Sequence, residues 1–255
     1  MELSYPQKSN GMYILRRTHM DDIAREFLRE YSPSSLERPA VVDVDLLAEE
    51  CLFLDVSHKP LTRDESILGM TVFEDVSGVP CFDEHFLPTE IDLPAGSVVI
   101  HSWLLSHNNW FRRRFTLAHE ISHWILHRSY HSPGKQKYHF RAGPDSLITP
   151  PYIACRATVI DGEKFEFVTD YDWEEWQANS LAAAILMPLD MFSEEAKFAL
   201  RKAGLSILDE KSARERYNII RELSDKFEVS KKAVEIRLDQ AGLIHNGSIN
   251  SRIRS

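Results

Sequence analysis

His119 and His123 stand four residues apart in the stretch FTLAHEISHWILHR, with Glu120 directly after the first histidine. In an α-helix, residues four apart lie one turn above each other on one face, so both imidazoles can aim at a single ion. Glu120 projects about 100° round from His119 and can reach a water held by that ion. This is the H-E-x-x-H arrangement of two metal ligands and a general base. Neutral imidazole suits Zn²⁺, and the same donors also accept Mn²⁺ or Fe²⁺. Bound zinc brings the pKa of its water toward neutrality, and the carboxylate takes the water's proton and returns it to the leaving amine. The competing reading is a surface helix with solvated histidines, which a chain with eleven histidines can produce by chance. The flanks weigh against it. Phe115, Leu117, Ala118, Ile121, Trp124 and Ile125 make most of the helix apolar. Two histidines and a glutamate inside such a helix are costly unless partnered, and a metal removes that cost.

A catalytic zinc takes three protein ligands and one open position, so a third donor is expected from elsewhere in the chain. The best source is EEWQANSLAAAILMP, whose Glu175 and Asn179 are four apart and share a face. Its alanines permit close approach between helices. Glu174 competes from a different face, and Asp172 is a weaker third candidate. His127 continues the stripe of His119 and His123 and is expected to line the cleft or to orient a ligand from behind. Tyr138, His139 and His131 are candidates to donate to the oxyanion of a tetrahedral intermediate, set against solvated loop residues that no spacing rule selects.

The elements that must position these groups are legible in outline. MDDIAREFLREYSP has helical periodicity and ends at Pro33; VDVDLLAEECLF reads as a second helix capped by Asp43 or Asp45. SILGMTVFED, VPCFDEHF and GSVVIHS are short, β-branched or aromatic, and punctuated by Gly and Pro, so they read as strands. Helical periodicity returns at Asn109. Residues 128–169 form a long, mostly polar stretch with three turn signals, expected as a loop. DYDWEEWQANSLAAAILMPLDMF is a helix stopped near Pro188, with Asp170 or Asp172 as its cap. ARERYNIIRELSDKFEVSKKAVEIRLDQAGLI is a helix pair joined around FEVS. The chain thus reads as α+β, with helices, a small sheet and a C-terminal helix pair.

Length and composition bound the rest. The 255 residues fit one large domain, and 43 % hydrophobic residues suffice for its core. Residues 1–20 are expected as an N-terminal extension, 21–244 as the domain with the helix pair 212–244 included, and 245–255 as a polar tail. The net charge of −9 disfavours a protein held to nucleic acid by phosphate attraction. The helix pair resembles a helix-turn-helix with Lys231, Lys232 and Arg237, but Glu222, Asp225, Glu228, Glu235 and Asp239 dilute its charge, so direct DNA binding is disfavoured. Cys51, Cys81 and Cys155 are odd in number and widely spaced, which argues against a disulfide framework or a cysteine-rich zinc site. With no signal-length apolar start and no spanning apolar stretch, a cytoplasmic protein without membrane contact is expected.

RRRFTLAHEISHWILH followed by EWQANSLAAAILMP resembles the ImmA/IrrE family of metallopeptidases. LSDKFEVSKKAVEIRLDQAGLI is similar to the end of that family's domain, and AVVDVDLLAEECLFLDV and ILGMTVFED also have its look. The resemblance covers roughly Asp21 to Ile244. It implies a zincin-like fold, with helices packed on a small mixed sheet and the motif helix under the cleft. It also implies His119, His123 and Glu175 as zinc ligands and Glu120 as general base. The implied partner is a protein substrate, a helix-turn-helix repressor of phage, mobile-element or stress type. Ser122 departs from the glycine often found before the second histidine, and its small size is expected to be tolerated. Two rival readings remain: a metal-stabilised protein that uses the same site to sequester a regulator without cutting it, and a DNA-binding regulator working through the C-terminal helices.

Overall fold

A computed structural model describes residues 3–131, 152–160, 167, 169–209 and 212–244. The chain is α+β, with a mixed four-stranded sheet, a separate hairpin, and helices covering the sheet. The strands are β1 (Asp55–Lys59), β2 (Ile67–Val72), β3 (Val76–Phe82), β4 (Pro88–Leu93), β5 (Ser97–His101) and β6 (Tyr152–Arg156). Their order in the main sheet is β1-β5-β2-β6; β1 runs parallel to β5, and β2 is antiparallel to both neighbours. Among the described residues, β3 and β4 pair only with each other, as a hairpin.

The helices are α1 (Arg17–Tyr31), α2 (Val44–Leu46, continued by a π turn Leu47–Cys51), α3 (Trp110–His127), α4 (Ala157–Ile160), α5 (Asp170–Leu186), α6 (Leu189–Lys202), α7 (Ala213–Phe227) and α8 (Lys231–Gln240). Asp43 caps α2 by accepting from the Leu46 amide at 3.0 Å. α3 is the motif helix. It packs on β2 and β5 on one side and along α5 on the other, and α1 covers the far side of α5. Leu117, Ala118, Ile121, Ala178, Leu181, Ala182 and Ile185 are fully buried between these layers. Alanines at 178 and 182 let the two helices approach closely, which places polar side chains of α3 against polar side chains of α5. Ser122 sits in this tight space and turns its hydroxyl back to the Ala118 carbonyl at 2.7 Å, so its polarity is absorbed within α3.

Several elements differ from expectation. The stretch 128–169 is not all loop: β6 and α4 lie within it, and β6 completes the sheet beside β2. β6 is only five residues among turn signals, too short to stand out by period. β2 lies between β5 and β6, so both of its edges are paired. α5 is capped by Thr169, not by Asp170 or Asp172. Thr169 accepts from the Asp172 amide while Asp172, at the third helical position, accepts from the Thr169 amide at 2.7 Å, a reciprocal capping box. Asp170 instead takes Lys8 at 2.7 Å and Asn10 at 2.6 Å. Those contacts hold residues ahead of α1 against α5, and Met12 and Leu15 from the same segment are buried.

The C-terminal helix pair is held on the core. Glu228 ends α7 in the left-handed conformation, and Ser230 caps α8. Arg237 is buried, donating to Asp21 at 2.6 Å and to the Met187 carbonyl. It is therefore not available to read a DNA groove. The turn also buttresses the start of α3, where Trp110 donates to Glu228 at 2.8 Å. No helix of the described residues is long and apolar enough to cross a membrane.

Candidate metal centre

His119, Glu120, His123 and Glu175 meet between α3, α5 and β2, and all four are fully buried. The Nε2 atoms of His119 and His123 converge to 2.8 Å. Glu175 comes from α5, its Oε2 3.3 Å from His119 Nε2 and its Oε1 3.4 Å from His123 Nε2.

The tautomers follow from the groups behind the rings. His119 Nδ1 lies 2.9 Å from Asn179 Oδ1, which can only accept, so Nδ1 carries the hydrogen and Nε2 presents a lone pair. His123 is set by a longer chain. The Gln177 amide nitrogen donates to the Tyr13 carbonyl at 2.9 Å, which turns Gln177 Oε1 toward His127 Nε2 at 3.0 Å. His127 Nε2 therefore donates, its Nδ1 accepts from His123 Nδ1 at 3.0 Å, and His123 Nε2 also presents a lone pair. Two imidazole lone pairs and two carboxylate oxygens thus face one another, and neither Glu175 oxygen has a hydrogen-bond partner among the described residues. Four buried acceptors without a donor repel one another unless a cation sits among them. The residues fit a metal of the zinc class: nitrogen and oxygen donors, oriented from behind by hydrogen bonds.

The titration behaviour carries the same sign. Burial opposes charging of His119, but the negative charges of Glu175 and then Glu120 outweigh it and hold its pKa above the ordinary value. Burial would raise Glu175, yet His119 and then His123 outweigh it and hold the carboxyl at about 2. Burial, aided by repulsion from His119, lowers His123 to about 4. Burial likewise lowers His127 to about 3. The pocket stabilises positive charge at its centre and keeps the supporting imidazole neutral.

Glu120 faces the sheet. Its Oε2 accepts from the Thr71 hydroxyl at 2.6 Å, and its Oε1 has no partner among the described residues. Burial lifts its pKa to about 7, against the pull of His119 and the Thr71 bond. Gly69 makes the room: a Cβ there would overlap Glu120 Oε1 and crowd its Cδ at 2.9 Å. Gly69 and Thr71 alternate correctly to share the face of β2 that meets α3.

The other candidates separate. Asn179 and His127 touch the histidines as described. Glu174 turns away to His131 at 2.7 Å, and His131 is buried and stacked on Phe73 at 4.2 Å, so its Nε2 is engaged away from the convergence point. Asp172 is occupied in the cap of α5. Tyr138 and His139 lie outside the described residues. Gly69, Thr71, Gln177 and Tyr13 take part without having been singled out in the sequence. Alternation along ILGMTV was a usable signal for the first two; none points to Gln177 or to a backbone carbonyl. Cys155 is the remaining unforeseen neighbour. Its Sγ, a ring nitrogen of His119 and an oxygen of Glu175 lie within 4.8 Å of one another. Burial, then the charges of Glu175 and Glu120, push its thiol well above the usual value.

No curated protein matches the chain. Residues 167–239 match the model of the IrrE N-terminal-like domain, a peptidase family. The match begins at the start of α5, takes in Glu175 and Asn179, and runs into α8, while the HEISH helix lies upstream of it. Over that part of the chain the match agrees with the resemblance to the ImmA/IrrE family of metallopeptidases.

Proposed function

We propose that the protein is a zinc-dependent endopeptidase in which His119, His123 and Glu175 hold the metal and Glu120 is the general base. The observation that supports it most is the set of four mutually facing, donor-free acceptors from α3 and α5 with Glu120 beside them. Zinc bound there would supply Lewis acidity toward a peptide carbonyl and a water made acidic enough to lose its proton near neutral pH. Glu120 is suited to take that proton. Thr71 pins Oε2, which leaves Oε1 open to receive it, and the same carboxyl would then pass it to the leaving amine. Asn179 and the His127–Gln177 chain hold the two imidazoles in the tautomers that binding requires.

The substrate we propose is a helix-turn-helix repressor of phage, mobile-element or stress type, on the strength of the family resemblance. The donor set does not by itself select Zn²⁺ over Mn²⁺ or Fe²⁺. The test is metal content and repressor cleavage in wild type, His119→Ala, Glu175→Ala and Glu120→Gln. Stoichiometric zinc is expected in wild type and Glu120→Gln and lost or weakened in the other two. Cleavage should fall by about 10²–10⁴-fold in Glu120→Gln. A wild type that holds zinc and binds a repressor but never cuts it would replace this reading with sequestration. A protein that takes up no metal would end both.

A further inference from the structure

Cys155 sits on β6, and strand pairing dictates where its side chain goes. β6 runs antiparallel to β2 with Cys155 opposite Gly69. Directly opposed residues share one face of a sheet, so Cys155 points to the side on which Gly69 makes room for Glu120. Tyr171 fixes the strand from the other direction, donating from its hydroxyl to the Ala154 carbonyl at 3.2 Å and so tying β6 to the first turn of α5. Four residues further along α5 is Glu175.

The sulfur, a His119 nitrogen and a Glu175 oxygen consequently lie within 4.8 Å of one another. Ligand atoms around a four-coordinate zinc stand about 3.6 Å apart where one is sulfur and one nitrogen, given the usual bond lengths. For the sulfur and nitrogen of this trio the separation has to close by up to about 1.2 Å to reach coordination distance, and the cluster so defined does not include His123. Cys155 is fully buried, and among the described residues its thiol makes only a 3.7 Å approach to the carbonyl of the adjacent Arg156. The independent sign of a ligand is Glu175, fully buried and aimed into the same cluster with both oxygens lacking a hydrogen-bond partner among the described residues. A free cysteine buried as a small apolar group packs against apolar neighbours. This one sits beside a carboxylate and an imidazole.

We propose that Cys155 supplies a sulfur donor to the metal held by His119, His123 and Glu175, closing the fourth position in the resting protein. The proposal rests on the metal-centre reading above. On loading, the S–H bond breaks, the sulfur–metal bond forms, and the proton is released to solvent. Four protein donors characterise a closed site, and hydrolysis needs an open one. Cys155 must therefore move off the metal before substrate can enter, which makes β6 the element that governs latency. A soft sulfur donor also biases the site toward zinc and away from Mn²⁺.

The experiment is cobalt(II) substitution of the full chain, read by absorption, with Cys155→Ser, Cys51→Ser and Cys81→Ser. The wild type is expected to bind one cobalt per chain and to show a near-ultraviolet sulfur-to-cobalt charge-transfer band beside the visible bands of a four-coordinate ion. Cys155→Ser should lose the near-ultraviolet band and keep the visible ones; the other two variants should keep both. Zinc-edge X-ray absorption of the zinc-loaded wild type gives a check that needs no variant, with one sulfur expected at about 2.3 Å. Cobalt bound without the charge-transfer band, a band that survives in Cys155→Ser, or a purely nitrogen and oxygen zinc shell would overturn the proposal and leave the His119, His123 and Glu175 set standing. Failure of the wild type to take up cobalt or zinc would overturn both.

Discussion

The motif helix α3 meets two different surfaces. Toward α5 it presents His119, His123 and His127, and each ring is tied at the nitrogen that faces away from the convergence point. Toward β2 it presents Glu120, held at one oxygen by Thr71 and given space at the other by Gly69. Glu120 and Glu175 are equally buried, yet the α5 side holds Glu175 at about 2 and the sheet side lifts Glu120 to about 7. The difference lies in the neighbours: Glu175 faces two imidazoles, and Glu120 has a hydroxyl and bare backbone. Titratable groups whose surroundings push them apart divide the labour of a site. On the proposed reading, one carboxylate would stay charged beside a cation and the other would exchange a proton.

The sheet side should break most sharply. In Gly69→Ala the new methyl would occupy the position of Glu120 Oε1, and neither the strand, flanked by β5 and β6, nor the buried helix can shift freely. Glu120 must rotate away from Thr71. A misplacement of about 1 Å at such a group costs on the order of 10²-fold in rate. The expected result is turnover lowered by about that factor with zinc content unchanged, measured as cleavage per bound metal. Equal loss of zinc and activity would mean that the two surfaces are not separable.

The α5 side should weaken by a smaller step. Gln177→Leu removes the acceptor for His127 and the link to the Tyr13 carbonyl, leaving His127 and His123 free to exchange tautomers. Partners behind metal-binding histidines typically account for 10–100-fold in affinity. We expect zinc affinity, measured by competition with a chelator, to fall within that range. The rate of the fully loaded protein should change little, since Glu120 and its partners are untouched. An unchanged affinity would show that His127 holds His123 without help from α5.

How far the sequence carried this picture depended on whether geometry within one element was enough. The i, i+4 rule brought His119 and His123 together and placed Glu175 and Asn179 on one face of their own helix, because each pair shares a helix. Strands β2, β3 and β5 were visible from β-branched runs. What failed to show needed two elements at once. β6 is five residues long within a polar stretch, and its role beside β2 is a matter of pairing, which no local period records. Cys155 approaches His119 only through that pairing. Gln177 lies two positions from Glu175 and acts because Tyr13, from a segment expected to lie outside the domain, folds back onto α5. Thr169 took the cap from the neighbouring aspartates because Asp172, three residues on, could reciprocate.

The smallest effect is a pH slope, and it isolates one ring. His127 is held at about 3 in the folded protein by burial, against an ordinary 6.5. Above 6.5 both folded and unfolded chains hold it neutral, and its contribution to stability does not depend on pH. As pH falls below 6.5 the unfolded chain binds a proton that the folded chain refuses, so stability declines down to about 3. Glu120 acts in the opposite sense: lifted to about 7, it favours the folded state below that value and loses the advantage as pH rises. The wild-type slope alone therefore mixes the two. The informative quantity is the change in Tm between pH 7 and pH 5 for metal-free wild type minus that for metal-free His127→Leu. Wild type should lose more on acidification, because only it carries the buried imidazole; the leucine variant starts lower, having lost the hydrogen bonds to His123 and Gln177, but falls less. Parallel curves would mean that His127 takes up a proton in the folded state, and the relay that gives His123 its lone pair would then have to run through the opposite tautomer.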